Sequence, residues 1–311
     1  MKIAFVFPGQ GSQAVGMGKD AHDRDRDAAT LFSQADKLVG LPLQALCFEG
    51  PSESLSQTEN TQPALAVSSA ATLQILRKAG IKADAYAGHS LGEYSALYAA
   101  GSIDFDTLIS LVKIRGDAFA QAAKTRPGAM AAILGLDAQK VSEVCTAASQ
   151  SQYVAPANFN DPSQIVISGE KDAVQRACDA AKAAGAKLVS VLPVSGAFHS
   201  PLVAPASQVM KDALATAKIA PPSALFINNV DAKQLTDPDA IRSSLVSQVT
   251  GAVRWVESVQ ALVAAGVTTF VEVGSGKVLG KLIRRIHKDA IVHSTENNAA
   301  MDATIAALAP K

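Results

Sequence analysis

The sequence predicts an α/β fold, a mostly parallel sheet built with helices and carrying a second, smaller unit inserted in it. Two observations carry that reading. Short apolar runs alternate with helix-spaced segments, beginning with the run Lys2–Phe7, as in chains that lay parallel strands between helices. Beyond Arg126-Pro127-Gly128 the spacing changes to a self-contained β-α-β-β-α-β order over roughly 65 residues, the split βαβ unit of ferredoxin-like folds.

The first run reads as a buried strand and leads into Pro8-Gly-Gln-Gly-Ser-Gln13. Gly9-x-Gly11-x-x-Ala14 also satisfies a short dinucleotide fingerprint. A dinucleotide site needs a second strand ending in an acidic residue about 20 positions on, whereas residues 20–38 are charged and helix-spaced. We therefore expect a loop whose backbone N–H groups face a site. Residues 28–40 and 63–79 carry helical spacing on either side of a polar connection over 50–61, and Pro63 is placed at a helix start. An apolar strand over 81–87 leads into Gly88-His89-Ser90-Leu91-Gly92, and 93–100 favour helix. Gly101 to Asp104 supply a stop and a new N-cap for a long amphipathic helix over 105–124, which carries Arg115.

In the inserted unit, strands are expected over 129–134, 153–158, 164–168 and 187–194, with helices over 138–149 and 172–184. We divide the chain accordingly into a large core, 1–126 and 195–311, and a small subdomain, 127–194. The core resumes at Ser195 with helices over 201–217, 237–248 and 255–265 and strands over 224–228 and 269–273. Gly274-Ser-Gly276 opens a last long helix. Gly276-Lys277 is not a phosphate loop, because the first glycine is missing and Val278 stands where Ser or Thr is required.

Strand, sharp turn and helix around Ser90 form the context in which G-x-S-x-G denotes a nucleophile elbow. An ordinary glycine-rich turn has the same five residues; the flanking elements favour the elbow. Such a turn strains the serine backbone by about 1–3 kcal/mol. Side chains at Gly88 or Gly92 would strike the neighbouring strand and helix. The Ser90 hydroxyl is then exposed at a helix N-terminus, where free N–H groups favour developing negative charge. A serine nucleophile needs a base within hydrogen-bond reach. Of the five histidines, His22 falls in a charged, solvated segment, His89 points away across the elbow, and His287 lies among Arg285, Lys288 and Asp289 on an exposed face. Two candidates remain: His199, in the small-residue loop that re-enters the core, and His293, at the end of an apolar run.

Composition excludes several classes of function. The 28 basic and 28 acidic residues balance, so no global field gathers nucleic acid. No apolar stretch reaches the roughly 20 residues of a membrane helix, and the first run is too short for a secretory signal and ends at Pro8. Cys47, Cys145 and Cys178 are scattered without C-x-x-C spacing, which predicts buried thiols in a reducing, cytoplasmic compartment. Metal-ligand spacing and internal repeats are absent from the sequence.

Together the motifs resemble the malonyl-CoA:acyl carrier protein transacylase family. The matching residues are Phe5-Val-Phe-Pro-Gly-Gln-Gly-Ser-Gln13, Thr61-Gln-Pro-Ala64, Gly88-His-Ser-Leu-Gly-Glu93, Arg115-Gly116 and Gly128-Ala-Met-Ala-Ala132. Further on come the run 158–169, Gly196-Ala-Phe-His-Ser200, Gln248 and Glu272-Val-Gly-Ser-Gly-Lys-Val-Leu279. Each is weak alone; their order and spacing through most of the chain are specific. The resemblance implies an α/β-hydrolase-like core with a ferredoxin-like subdomain. It implies transfer of malonyl from malonyl-CoA to the phosphopantetheine thiol of acyl carrier protein for fatty acid synthesis, without metal or cofactor. The chain would act in trans, as a cytoplasmic monomer.

By position, the resemblance makes Ser90 the acylated nucleophile and His199 its base, with the backbone carbonyl of Gln248 orienting the imidazole in place of an acid. The N–H groups of Gln10 and Leu91 would form the oxyanion hole. Arg115 would meet the malonyl carboxylate as a planar fork meets a planar anion, and Gln62 and Asn158 would line the pocket. Gly-Ala-Phe-His at 196–199 goes with malonyl rather than bulkier extender units. Gly274-Ser-Gly276 departs from the frequent Gly-Pro-Gly but leaves the helix start intact. Carrier proteins of this kind present an acidic helix, so a basic patch is expected at Lys281, Arg284, Arg285 and Lys288, with Arg284 and Arg285 as carrier contacts. Neighbouring readings stay open: a trans-acting acyltransferase of polyketide synthesis, a malonate decarboxylase component, a serine thioesterase or hydrolase, or a non-catalytic carrier-binding module. Arg115 and the missing acid weigh against the hydrolase, and the presence of both Ser90 and His199 against the module.

Overall fold

Nine strands form two sheets in the computed structural model, which describes residues 1–194 and 196–310. Ser195, where we place the return to the core, lies outside the described residues. The strands are β1 (Lys2–Phe7), β2 (Ala85–Gly88), β3 (Ala129–Leu134), β4 (Val154–Asp161), β5 (Gln164–Gly169), β6 (Leu188–Val191), β7 (Leu225–Phe226), β8 (Val267–Glu272) and β9 (Ile291–Ser294). The main sheet is parallel throughout, in the order β7-β2-β1-β8-β9. β1 runs through its middle with both faces covered, which is why its sequence is a continuous apolar run. Ile3, Phe5 and Phe7 enter one core with the helices Thr58–Lys78 and Phe105–Thr125. Ala4 and Val6 enter the other, against Trp255 and Leu282.

The small sheet is antiparallel, in the order β4-β5-β3-β6, the arrangement expected of a split βαβ unit. Successive strand residues point to opposite faces. Ala131, Ile133, Ile165 and Ile167 pack on the helices Ala138–Ser149 and Lys171–Ala183, while Met130, Ala132 and Val166 turn to the main core. Backbone hydrogen bonds join β4 to the core at Val253, whose N–H donates to Ala157 and whose carbonyl accepts from Phe159. No described helix is long and apolar enough to cross a membrane.

Several elements differ from the sequence reading. The 20–38 segment is two helices, Lys19–Arg24 and Arg26–Val39, because Asp25 leaves helical conformation and caps the second with its carboxylate. The helix placed from Pro63 starts at Thr58; burial of Thr58, Thr61 and Gln62 outweighs the one backbone bond that an internal proline forfeits. The 81–87 strand begins only at Ala85, since the Asp84 carboxylate accepts from the Ile3 N–H beside it. The strand at 224–228 shrinks to two residues at the sheet edge. The last long helix is instead the short Val278–Ile286, closed where His287 turns extended, and β9 and the helix Asn298–Leu308 follow it. Lys288 is therefore off the helical face expected for it.

The elbow depends on backbone meeting backbone. A Cβ at Gly88 would lie 1.9 Å from the Gly92 carbonyl oxygen, and one at Gly92 would lie 2.2 Å from that of Phe7. Neither neighbour is a side chain that can swing aside. We expect Gly88→Ala to cost about 3 kcal/mol or more, lowering Tm by roughly 5 °C or more. A melting curve within about 1 °C of wild type would contradict the closure described.

Candidate active site

β1 and β2 are neighbours and end at the same edge of the sheet, one in the Pro8 loop and the other in the elbow. In open parallel sheets the carboxyl ends of the strands are where ligands are held. Ser90 takes φ 52° and His199 φ 56°, left-handed values shared among the described non-glycine residues only with Gln150 and Ala232. Strain of this kind survives only where surroundings enforce it. Here Asn229 enforces it: its Oδ1 accepts from the Ser90 N–H at 2.7 Å, and its Nδ2 donates to the Gly88 carbonyl at 2.7 Å.

Ser90 Oγ lies 2.8 Å from His199 Nε2. The other ring nitrogen, Nδ1, faces the carbonyls of Gln248 at 2.9 Å and Gly251 at 3.0 Å. Two acceptors fix the proton on Nδ1 and leave the Nε2 lone pair for the hydroxyl, the geometry of a general base. Burial, and after it the charge of Arg115, push the His199 pKa down to about 3.

Arg115 enters from the long helix with its guanidinium buried. Nη1 donates to Gln62 Oε1 at 2.8 Å, and Nη2 donates to Ser90 Oγ at 3.0 Å and Gln248 Oε1 at 2.9 Å. The group also lies over the Phe119 ring, 4.3 Å from its centroid. These hydrogen-bond partners are all neutral, so a buried cation stands beside the hydroxyl ready for an anion. A cavity of about 230 Å³ opens on it. The core supplies Gln10, Gln62 and Arg115 to a polar wall, Asn158 of β4 in the small sheet joins them, and Leu91 lines it too; the small sheet and Phe198 also supply an apolar wall with Met130, Ala132 and Val166. Asn158 Oδ1 is buried without a partner among the described residues.

The other histidines are engaged elsewhere. His293 sits in β9 opposite Val271, three strand positions from β2 and so about 14 Å across the sheet. His89 Nε2 pairs with Asn160 Oδ1 at 2.8 Å, and its ring packs edge-on against Trp255. His22 is half-buried between Phe32 and Phe48 rather than solvated. Arg284 and Arg285 are exposed, yet both hold partners: Arg284 donates to the Val292 carbonyl at 3.0 Å, and Arg285 pairs with the buried Asp161 at 2.9 Å. No cluster of His, Cys, Asp and Glu among the described residues is arranged to hold a metal ion.

Sequence reasoning missed Asn229 and Glu93. Glu93 Oε2 accepts from Gln248 Nε2 at 2.7 Å and from the Asn229 N–H at 3.0 Å, and burial pushes its carboxyl up to about 7. The available signal was a lone acidic residue in the helix Gly92–Ala99, which has almost no polar face. For Asn229 the sequence offers none.

The acyl transferase domain family matches residues 4–311. The chain is 44% identical over 305 residues to the malonyl CoA-acyl carrier protein transacylase of Escherichia coli (strain K12), covering 98% of this chain and 99% of that one. It is 44% identical over 288 residues to the protein of the same name from Bacillus subtilis (strain 168), covering 92% and 91%. The solved malonyl CoA-acyl carrier protein transacylase of Coxiella burnetii superposes with a TM-score of 0.96 at 37% identity, covering 100% of this chain and 98% of that one. A malonyl-transacylase solved in complex with a type II PKS acyl-carrier protein superposes with a TM-score of 0.96 at 40% identity, covering 99% and 100%.

The depressed His199 pKa sets a pH window. An exposed histidine takes up its proton below about pH 6.5, whereas His199 stays neutral to about 3. Unfolded chains bind this proton first, so stability falls as pH drops from 6.5 toward 3. In protein that is still folded, the base stays competent. Labelling of Ser90 by a fluorophosphonate is expected to keep its rate down to about pH 5, where an ordinary histidine would be more than about nine-tenths protonated. An acid limb centred near 6.5 would show that the imidazole is not held as described.

Proposed function

The chain belongs to the acyl transferase domain family, and on that premise we propose that it transfers malonyl from malonyl-CoA to the phosphopantetheine thiol of acyl carrier protein. The observation that carries this reading is the meeting of two groups on one oxygen: Ser90 Oγ has the His199 base at 2.8 Å and the Arg115 guanidinium at 3.0 Å. A base prepares the hydroxyl for acyl transfer, and a buried cation beside it selects an acyl group that ends in a carboxylate.

The reaction runs in two halves. His199 Nε2 takes the hydroxyl proton as Ser90 Oγ attacks the thioester carbonyl. Because the Ser90 N–H is engaged by Asn229, the developing oxyanion falls to the N–H groups of Leu91, at the start of the elbow helix, and of Gln10 in the Pro8 loop. The imidazolium returns the proton to the departing thiolate of CoA, leaving malonyl-Ser90. Arg115 turns from the hydroxyl to the malonyl carboxylate, and Gln62 and Asn158 complete the polar wall. The carrier thiol then gives its proton to His199 and attacks the ester carbonyl; the ester C–O bond breaks, and the imidazolium returns the proton to Ser90 Oγ. The apolar wall from residues 127–194, which we take as the small subdomain, keeps water from the ester meanwhile.

On this reading the protein supplies fatty acid synthesis in the cytoplasm, acts as a monomer and needs no cofactor. A second reading, supply of a polyketide system, is favoured by one observation, the type II PKS carrier bound to the 40%-identical neighbour. Arg284 and Arg285 remain the proposed carrier contacts. Arg284 probes that surface more cleanly, because altering Arg285 also breaks its pair with Asp161.

Intact-protein mass spectrometry after mixing with malonyl-CoA is expected to show a malonyl adduct on wild type and none on Ser90→Ala. His199→Ala should slow its formation by about 10²–10⁴-fold, and His293→Ala should leave it near wild type. A crippled His293→Ala would reverse the base assignment. Free malonate accumulating without an adduct would favour a hydrolase.

Arg115→Ala should lose roughly two to four powers of ten in kcat/KM for malonyl-CoA, the cost of stranding a buried charge. Acetyl-CoA, lacking the carboxylate, should lose far less. Equal losses for both substrates would make Arg115 structural and remove the main support for malonyl.

A further inference from the structure

Glu93 takes no part in the steps above, yet its buried carboxyl is two hydrogen bonds from Ser90 and Arg115 and reaches His199 through the same Gln248. Oε2 accepts from Gln248 Nε2, and the Gln248 Oε1 accepts from Arg115; Oε2 also accepts from the Asn229 N–H, and Asn229 Oδ1 holds the Ser90 N–H. The peptide carbonyl of the same Gln248 accepts from His199 Nδ1.

A primary amide donates from one side and accepts on the other, and the two sides exchange by a half-turn. Two acceptors decide which way the Gln248 amide faces. Its Nε2 donates to Glu93 Oε2 at 2.7 Å and to the Ser90 carbonyl at 3.0 Å, so the amide oxygen is left to face Arg115. Turned over, the amide would set its oxygen against two acceptors and its N–H groups against a guanidinium, a mismatch that is costly in a buried site. The Glu93 carboxyl performs this task whether or not it carries a proton, since Oε1 is free of partners among the described residues and a proton there leaves Oε2 an acceptor.

We propose that Glu93 is a positioning residue for acyl selection: by fixing the Gln248 amide it holds the Arg115 guanidinium in the pose that receives the substrate carboxylate. The inference rests on the malonyl reading above. Without Glu93 the amide keeps only the longer of its two bonds, to the Ser90 carbonyl, and Nη2 loses a dependable acceptor. The guanidinium then drifts on its remaining support from Gln62, Phe119 and Ser90 Oγ, the last of which is given up on acylation. An acyl group without a carboxylate does not use that pose, so the damage falls on malonyl far more than on acetyl. A residue needed only for folding would slow both alike.

The test is single-turnover acylation of Ser90 by malonyl-CoA and by acetyl-CoA, read by intact mass, in wild type, Glu93→Ala, Glu93→Gln and Gln248→Met. Glu93→Ala and Gln248→Met should each lower the malonyl-to-acetyl rate ratio by about tenfold or more, the size expected for a lost hydrogen bond to a charged group. Glu93→Gln, whose amide oxygen replaces Oε2, should keep the ratio within about threefold of wild type. If Glu93→Ala does not fold, Gln248→Met decides the same question. A ratio unchanged in whichever of the two folds overturns the proposal, and so does a Glu93→Gln ratio as low as that of Glu93→Ala. A wild-type protein that forms no malonyl adduct would overturn the malonyl reading itself, a failure that appears before any variant is examined.

Discussion

The first turn of the elbow helix rests directly on the carbonyl that ends β1, with no side chain between them. That contact fixes where Ser90 stands relative to the Pro8 loop, and so relative to Gln10. Asn229, which follows β7, ties in a third strand by holding both the Gly88 carbonyl and the Ser90 N–H. In the sheet these strands are consecutive, β7-β2-β1. The site is therefore made of three adjacent strand ends joined through backbone atoms and one amide. Such a junction has few soft degrees of freedom, which suits a geometry that must be held within a few tenths of an ångström.

Around this junction the protein buries an unusual set of polar groups: Arg115, Gln62, Glu93, Asn229, Gln248 and His199 are all nearly inaccessible. Two left-handed residues add backbone strain. A purely apolar filling would be the more stable choice, because buried charges carry a desolvation penalty that neutral partners offset only in part. The arrangement makes sense as a preorganised receiver of a negatively charged acyl group, in which stability is given up for selectivity.

Legibility in the sequence followed locality. The elbow could be read because its glycines stand at fixed offsets from the serine, and the small unit because strand and helix periods alternate cleanly within it. Pro63 misled, since proline marks helix starts only on average and here burial extends the helix ahead of it. The histidines showed the limit: spacing left His199 and His293 both open, and only the family resemblance or the fold separates them. Glu93 and Asn229 meet across 136 positions, and Arg285 finds Asp161 across 124. No window along the chain contains such pairs. An exposed-looking arginine and a stray asparagine therefore looked alike until the strands were laid side by side.

The two-faced small sheet has a consequence for how this protein can change over generations. Its odd-numbered positions in β3 and β5, such as Ile133 and Ile167, serve their own helices, while the intervening Met130, Ala132 and Val166 form the chamber wall. Drift on one face leaves the other nearly untouched. A lineage can thus recut the chamber for a different acyl group, one methyl at a time, without renegotiating either the subdomain's core or the strand ends that carry the chemistry. Adaptability is stored in alternate residues of the same strands.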